Sequence, residues 1–329
     1  MERKIVIVLV IMLLTMDLFS VSRIEVKAAA KPMIKIENTK KHSIKISWTR
    51  IKDDRSYVVY RSTYYSGSYT VVKKTNTLSF TDSNLQEGTA YFYKVKALKG
   101  NGKSALISDI KYGYIGSSKI PKLININQRS IKPDQMSVVI VSTRNTTTSY
   151  ANVSFYTRKS KSTFGLEFST IGFVGTKGIG KTKEGDGKTP SGNYGFSKAF
   201  GISKVPTGTK LPYTQVNATH WVVSDSKSKY YNKFVSTKDV KMDWNKKLGE
   251  QLYNYKVPYA YALFMNYNSE GKKGKGSAIF LHCYSTKDYT AGCVAIPKDN
   301  MKYLLQKLTM KNKVISSEII INTYSNLIK

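Results

Sequence analysis

The chain has 329 residues, enough for two domains of ordinary size, and its 41% hydrophobic content with only 8 prolines excludes wholesale disorder. Its 53 lysines and arginines against 21 acidic residues give a net charge of +32, which calls for a polyanionic surrounding. Tyrosine outnumbers tryptophan 24 to 3, and a side chain with a packing ring and a wet hydroxyl suits half-buried strands.

Residues 1–30 read as an export signal. Arg3 and Lys4 form a positive start, Ile5 to Leu14 an apolar run, and Ala28 to Ala30 a small-residue cleavage site. The alternative is a single membrane anchor, but the run falls short of the ~20 residues a bilayer span needs. No later segment is apolar enough to span, so the mature protein is expected to be secreted and soluble, with no stable membrane insertion. The first 30 residues carry four basic and three acidic side chains, so setting them aside leaves +31. An exported protein meets little nucleic acid. The expected partner of this charge is therefore an anionic cell-wall polymer or membrane surface, with part of the lysine excess serving solubility.

Residues 31–117 read as one small β-sandwich. Ile34, Ile36, Ile44, Ile46 and Trp48 alternate with polar residues, Tyr57 to Tyr60 and Tyr69 to Val72 follow as short strands, and no helical period intervenes. Trp48, Tyr60-Arg61-Ser62, Phe80-Thr81-Asp82 and the run Leu85-x-x-Gly88-Thr89-x-Tyr91-x-Tyr93-x-Val95-x-Ala97 together resemble a fibronectin type III domain. The resemblance implies a seven-strand sandwich with Trp48 in its core and Tyr91 as its tyrosine corner, acting as a binding module or spacer.

A linker is expected at Gly113 to Pro121, and residues 118–329 form the second domain. Val138 to Ser142 and Val153 to Tyr156 read as strands. A glycine-rich passage runs from Gly172 to Gly201. Met301, Leu304, Leu305 and Leu308 have helical spacing, and Ile319 to Ile321 is a closing strand. The expected class is mainly β, with few helices.

The two cysteines, Cys283 and Cys293, lie ten positions apart beside His282. Disulfides that stabilise an exported protein are usually spread through the chain, so this cluster reads as a chemical site. A local disulfide is the competing reading. There is no CxxC or HxxxH, and no metal or cofactor is expected. Ala278 to Leu281 is read as a buried strand delivering His282, and Val294 to Ile296 as a second one following Cys293. Neighbouring strands would bring imidazole and thiol within hydrogen-bond reach, which is how a cysteine nucleophile is deprotonated. Gly292 would let a backbone N–H approach an oxyanion closely.

His282, the element Thr290-x-Gly292-Cys293-Val294, the upstream Glu184-Gly185-Asp186-Gly187-x-Thr189-Pro190-x-Gly192, and Trp221-Val222-Val223-Ser224-Asp225 with Tyr230-Tyr231-Asn232 together resemble the L,D-transpeptidase (YkuD-like) catalytic domain, from about Val138 to the C-terminus. The resemblance implies a bacterial, Gram-positive, cell-wall enzyme. Cys293 would attack the bond between a diamino acid and a terminal D-Ala of a peptidoglycan stem peptide. A second stem's amine would then resolve the acyl-enzyme as a 3→3 cross-link. It assigns the nucleophile to Cys293, the base to His282 and the orienting main-chain carbonyl to Cys283, with Thr290 where serine is common. Gly187, Thr189, Pro190, Trp221 and Tyr231 are candidates for the substrate cleft. The arginine common two residues after the nucleophile is Ala295 here, and Lys188 or Lys181 is considered in its place. Hydrolysis of the same acyl-enzyme, or a catalytically dead wall-binding protein, are the alternative readings.

Overall fold

The structure is a computed structural model that describes residues 31–40, 42–52, 54–99 and 104–329. The expected export segment, residues 1–30, lies outside the described residues.

Eight strand segments build the N-terminal part: β1 Ile34–Lys40, β2 Ser43–Trp48, β3 Asp54–Ser62, β4 Thr70–Thr75, β5 Ser79–Asp82, β6 Ala90–Lys99, β7 Ser104–Ile107 and β8 Lys111–Tyr114. Among the described residues, β1, β2 and β5 form one sheet. The second runs β4-β3-β6, with β7 and β8 both laid along β6. These last two are one edge strand interrupted at Ser108. There the Ser108 amide donates to the Val95 carbonyl, and its hydroxyl accepts from the Val95 amide, at 2.9 Å each. The two sheets enclose Ile44, Ile46, Trp48, Tyr57, Val59, Tyr93 and Val95. Tyr91 Oη accepts from the Gln86 amide at 2.8 Å, the geometry of a tyrosine corner.

The C-terminal part is built on a larger sheet made of β9 Ser137–Thr143, β10 Tyr150–Arg158, β11 Phe164–Phe173, β12 Gly192–Gly201, β13 Tyr213–Gln215, β17 Ala262–Met265, β18 Phe280–Cys283, β19 Val294–Ile296 and β22 Ser317–Thr323. Among the described residues its order is β13-β12-β17-β18-β19-β11-β10-β9-β22. Because β22 also pairs with β12, the sheet closes into a barrel-like ring. Three short strands, β14 His220–Val223, β15 Phe234–Ser236 and β16 Gly249–Gln251, make a separate small sheet, and β20 Met310–Lys311 and β21 Val314–Ile315 a hairpin-like pair.

Side chains alternate across the large sheet. Val139 and Val141 enter the main core, whereas Val138 and Ile140 face the sandwich. The expected helix is α1, Lys298–Lys307; it buries Met301, Leu304, Leu305 and the following Leu308 in that core. Asp299 in its first turn and Lys307 in its last both complement the helix dipole. A final short helix, α2, spans Tyr324–Leu327.

Two expectations change here. The stretch 113–121 is no free linker. Gly113 lies inside β8, Ile115 and Ile120 are buried, and Ala90 and Phe92 of the sandwich share one apolar cluster with Ile124, Val138, Ile140 and Ile320. The apolar faces of β6 and β9 therefore pack in one cluster, which Tyr65, Leu123 and Tyr324 help to close. The strand before His282 is also shorter than read. It begins at Phe280, because Ala278 has φ +53, a left-handed turn no strand contains.

Candidate active site

β18 and β19 run parallel, with Leu281 opposite Val294, His282 opposite Ala295 and Cys283 opposite Ile296. Successive side chains on a strand point to opposite faces. Phe280 and His282 therefore share one face, which Cys293, just before β19, joins. Its Sγ lies 3.3 Å from the Phe280 amide, which donates to it, and 3.3 Å from the Ala278 carbonyl, which accepts its proton. Cys293 packs there with Phe280, Ala278, Tyr259 and Val222. Leu281 and Cys283 point the other way, into the main core with α1.

His282 is buried, and its Nδ1 is 2.7 Å from the Cys283 carbonyl. A carbonyl only accepts, so Nδ1 carries the proton and Nε2 is left as the basic nitrogen. Tyr259 stands edge-on to the imidazole, with ring centroids 5.5 Å apart. In this resting arrangement the thiol is bonded to main chain, and among the described residues no hydrogen bond joins it to the imidazole. Hydrogen bonds between such groups are often loose before a substrate binds.

The main chain of Cys293 is fixed from two sides. Thr290 Oγ1 donates to the Cys293 carbonyl at 2.7 Å, and Thr189 Oγ1 donates to the same oxygen at 3.0 Å. Thr290 Oγ1 also accepts from the Gly292 amide at 3.1 Å, and Thr189 Oγ1 from the Gly175 amide at 2.9 Å. Each hydroxyl thus both accepts and donates, joining the glycine-rich passage to the nucleophile corner. The Gly292 amide is consequently engaged by Thr290. Glycine is needed there for backbone reasons: φ is +154, and a Cβ would lie 3.0 Å from the Lys188 carbonyl.

Burial sets the charges of the site. It pushes the Cys293 thiol well above its ordinary value, and the Glu250 charge adds to the rise, while the Phe280 amide and Lys181 oppose it. Burial pushes the His282 imidazole down to about 4, with the Cys283 carbonyl opposing. The pair rests as neutral thiol and neutral imidazole. Lys181, beside the Gly292 position, forms a buried ion pair with Asp186 at 2.8 Å. Despite burial, that ammonium and the amides of Thr182, Lys188 and Lys183 hold the Asp186 carboxyl well below the usual carboxylate range.

The family model of the YkuD L,D-transpeptidase catalytic domain matches residues 136–315, more than half of the chain. The chain belongs to the L,D-transpeptidase (YkuD) family. No curated protein matches it. Solved structures similar to its N-terminal part include a Fn3-like protein from Clostridium thermocellum, 29% identical over 29% of this chain and 97% of that one, with a TM-score of 0.25. Another is the sixth fibronectin type III domain of a human fibronectin type III domain containing protein, 20% identical over 28% and 89%, also at 0.25.

The other candidates in this L,D-transpeptidase domain fall into two groups. Thr189 and Thr290 touch the nucleophile's carbonyl, and Pro190 follows Thr189 in the same buried turn. Gly187, at φ +69, shapes the loop in which its carbonyl accepts from the Lys177 amide at 3.0 Å. Tyr231 donates to Glu184 at 2.6 Å, Ser277 donates to the same carboxylate at 2.7 Å, and the Gly276 amide donates to Tyr231 Oη. These bonds tie the Glu184 loop to the segment entering β18. Trp221 is a correction: it packs with Val223 and Trp244 in a separate cluster, while its neighbour Val222 faces Cys293. Alternation along β14 decides this. Cys283 presents only its carbonyl to the site, and its thiol is buried on the far face, pushed up to about 11 by that burial.

Ala278 and Asn232 also shape the site, as do Tyr259 and Glu250, which the sequence reading passed over. Ala278 receives the thiol proton, and its amide donates to Asn232 Oδ1 at 3.0 Å. Asn232 itself has φ +58, a conformation asparagine tolerates. Glu250 accepts from Tyr259 Oη, the ring set against His282. Nothing in local spacing marks Tyr259 or Glu250, because each comes from a different segment. Among the described residues no group of three or more His, Cys, Asp or Glu could hold a metal, and no helix is long and apolar enough to cross a membrane.

Proposed function

We propose that the protein is a peptidoglycan L,D-transpeptidase that works through a Cys293 acyl-enzyme. The observation that carries this reading is the placement of His282 in β18 and of Cys293 at the entry to the parallel β19 on one face, with the imidazole fixed so that Nε2 is free to act as base. The Cys293 thiol transfers its proton to His282 Nε2. The thiolate then adds to the carbonyl between the diamino acid and the terminal D-Ala. As the C–N bond breaks, His282 returns the proton to the departing D-Ala amine, leaving a thioester. A second stem's side-chain amine attacks that thioester, forming the 3→3 amide and restoring the thiol.

Lys181 is the cation closest in kind to the missing arginine and would face the carboxylate of the departing D-Ala. The export segment and the +31 charge support action at an anionic wall, and the sandwich would act as a fibronectin type III-like spacer or wall-binding module. The test is incubation of the mature protein with disaccharide-tetrapeptide, followed by mass spectrometry. A thioester adduct on Cys293, absent in Cys293→Ala, and a cross-linked dimer are expected. Full turnover by Cys293→Ala would overturn the nucleophile, and tripeptide without dimer would convert the reading to an L,D-carboxypeptidase.

A further inference from the structure

We propose that Glu250 and Tyr259 form a subsite for the acyl acceptor, binding a primary ammonium group beside the Cys293 thioester. This inference rests on the transpeptidase reading above and adds the residues that would receive the second substrate.

The placement follows from strand register. Glu250 on β16 is paired directly with Val222 on β14, and directly paired residues of antiparallel strands project on the same side. Val222 packs in the cluster that contains Cys293, Phe280 and Tyr259, so the Glu250 side chain is directed to that face too. The flanking pairs, Trp221 with Gln251 and Val223 with Gly249, lie on the other side, where Trp221 meets Trp244. Tyr259 completes the placement. Its hydroxyl donates to Glu250 Oε2, and its ring stands edge-on to Phe280 at 5.3 Å and His282 at 5.5 Å.

A carboxylate in this position lacks its usual compensation. The chain carries 53 lysines and arginines, yet among the described residues none forms an ion pair with Glu250. The enclosed carboxylates Asp82, Glu167 and Asp186, by contrast, each have one, and buried Asp225 instead accepts from the Lys227 and Asn245 amides. A half-buried carboxylate with no ionic partner is costly to keep charged, and such groups cluster at functional sites. The Cys293 site is also polarised, since Lys181 favours the thiolate and Glu250 opposes it. The anionic end of a donor stem suits the lysine side. A cation suits the glutamate side.

Burial, with Glu184 adding, holds the Glu250 carboxyl up at about 7, while the Tyr259 hydroxyl opposes the rise. Near neutrality it can thus accept a proton as well as hold a charge. An incoming ammonium gives one proton to the Glu250 carboxylate and becomes a neutral amine. The amine attacks the thioester carbonyl: the C–N bond forms, the C–S bond breaks, and its second proton passes through His282 to the departing Cys293 sulfur. The products are an amide carrying the third proton, a free thiol and a protonated Glu250, which solvent then deprotonates.

The test compares full mature wild type with Glu250→Gln and Tyr259→Phe, using a tetrapeptide with a free side-chain amine as both donor and acceptor. The readout is the ratio of cross-linked dimer to hydrolysed tripeptide, normalised to the acyl-enzyme formed on Cys293. We expect a fall of at least about tenfold for Glu250→Gln, a smaller fall for Tyr259→Phe, and a raised acceptor KM in both. A ratio within twofold of wild type in both folded variants would overturn the subsite and leave the Cys293 chemistry standing. Absence of any Cys293 adduct in wild type would overturn both readings. Tyr259→Phe keeps the ring against His282, so it supplies the answer should Glu250→Gln fail to fold.

Discussion

Cys283 ends β18 and Cys293 immediately precedes the parallel β19, but their thiols face opposite sides of one sheet, Cys283 toward α1 and Cys293 toward Tyr259. Both are free. A disulfide would have to pass through the sheet, so a local bridge is excluded by the alternation of the strand itself. Oxidation of the native protein with diamide, then denaturation and thiol titration, is expected to recover both thiols. A linked 283–293 peptide on mass mapping would contradict the fold around the site.

The shared carbonyl of Cys293 gives a second prediction. Thr189→Val and Thr290→Val keep shape but remove a donor, and each is expected to cost about 1 kcal/mol of stability. Both should slow acylation, with Thr290→Ser closer to wild type than Thr290→Val. Chemical denaturation and the rate of adduct formation measure the two effects.

Gly292→Ala would place a Cβ 3.0 Å from the Lys188 carbonyl at a positive φ. Relief of that contact moves the residue next to the nucleophile. A loss of roughly 1–3 kcal/mol is expected, with acylation reduced by about 10²-fold, the scale on which small misplacements act. Near-normal acylation would show that the corner tolerates displacement.

His282 makes stability depend on pH. Burial lowers its pKa from the ordinary 6.5 to about 4 on folding. Between these values the unfolded chain binds the proton and the folded one does not. The stabilisation is therefore present above pH 6.5 and is lost as pH falls toward 4, to a limit of about 3 kcal/mol. His282→Gln should flatten this part of the profile in urea titrations between pH 4 and 7. The acidic limb of acylation should likewise sit well below pH 6.5.

The sandwich and the barrel-like sheet share a core, so Phe92→Ala, a deletion in that shared cluster, should cost about 3–5 kcal/mol. Calorimetry should show one transition for wild type and a lower one for the variant. Two well-separated transitions in wild type would mean the cluster contributes little to stability.

Much of this protein was readable from its residues alone. The alternation in 34–48 and 138–156 and the helical spacing of Met301 to Leu308 are local patterns, and local patterns survive without the fold. The motif around Thr290 and the Glu184 to Gly192 passage pointed to the family that residues 136–315 match. Tertiary structure decided what depends on distant segments meeting. It anchored the stretch Gly113 to Pro121 through buried Ile115 and Ile120, sent Trp221 away from Cys293, and brought Tyr259 and Glu250 to it. It also separated the two cysteines that sequence had placed together. The reason is physical: a period of two says that neighbours in sequence face apart, but only the closed sheet says which face holds the site.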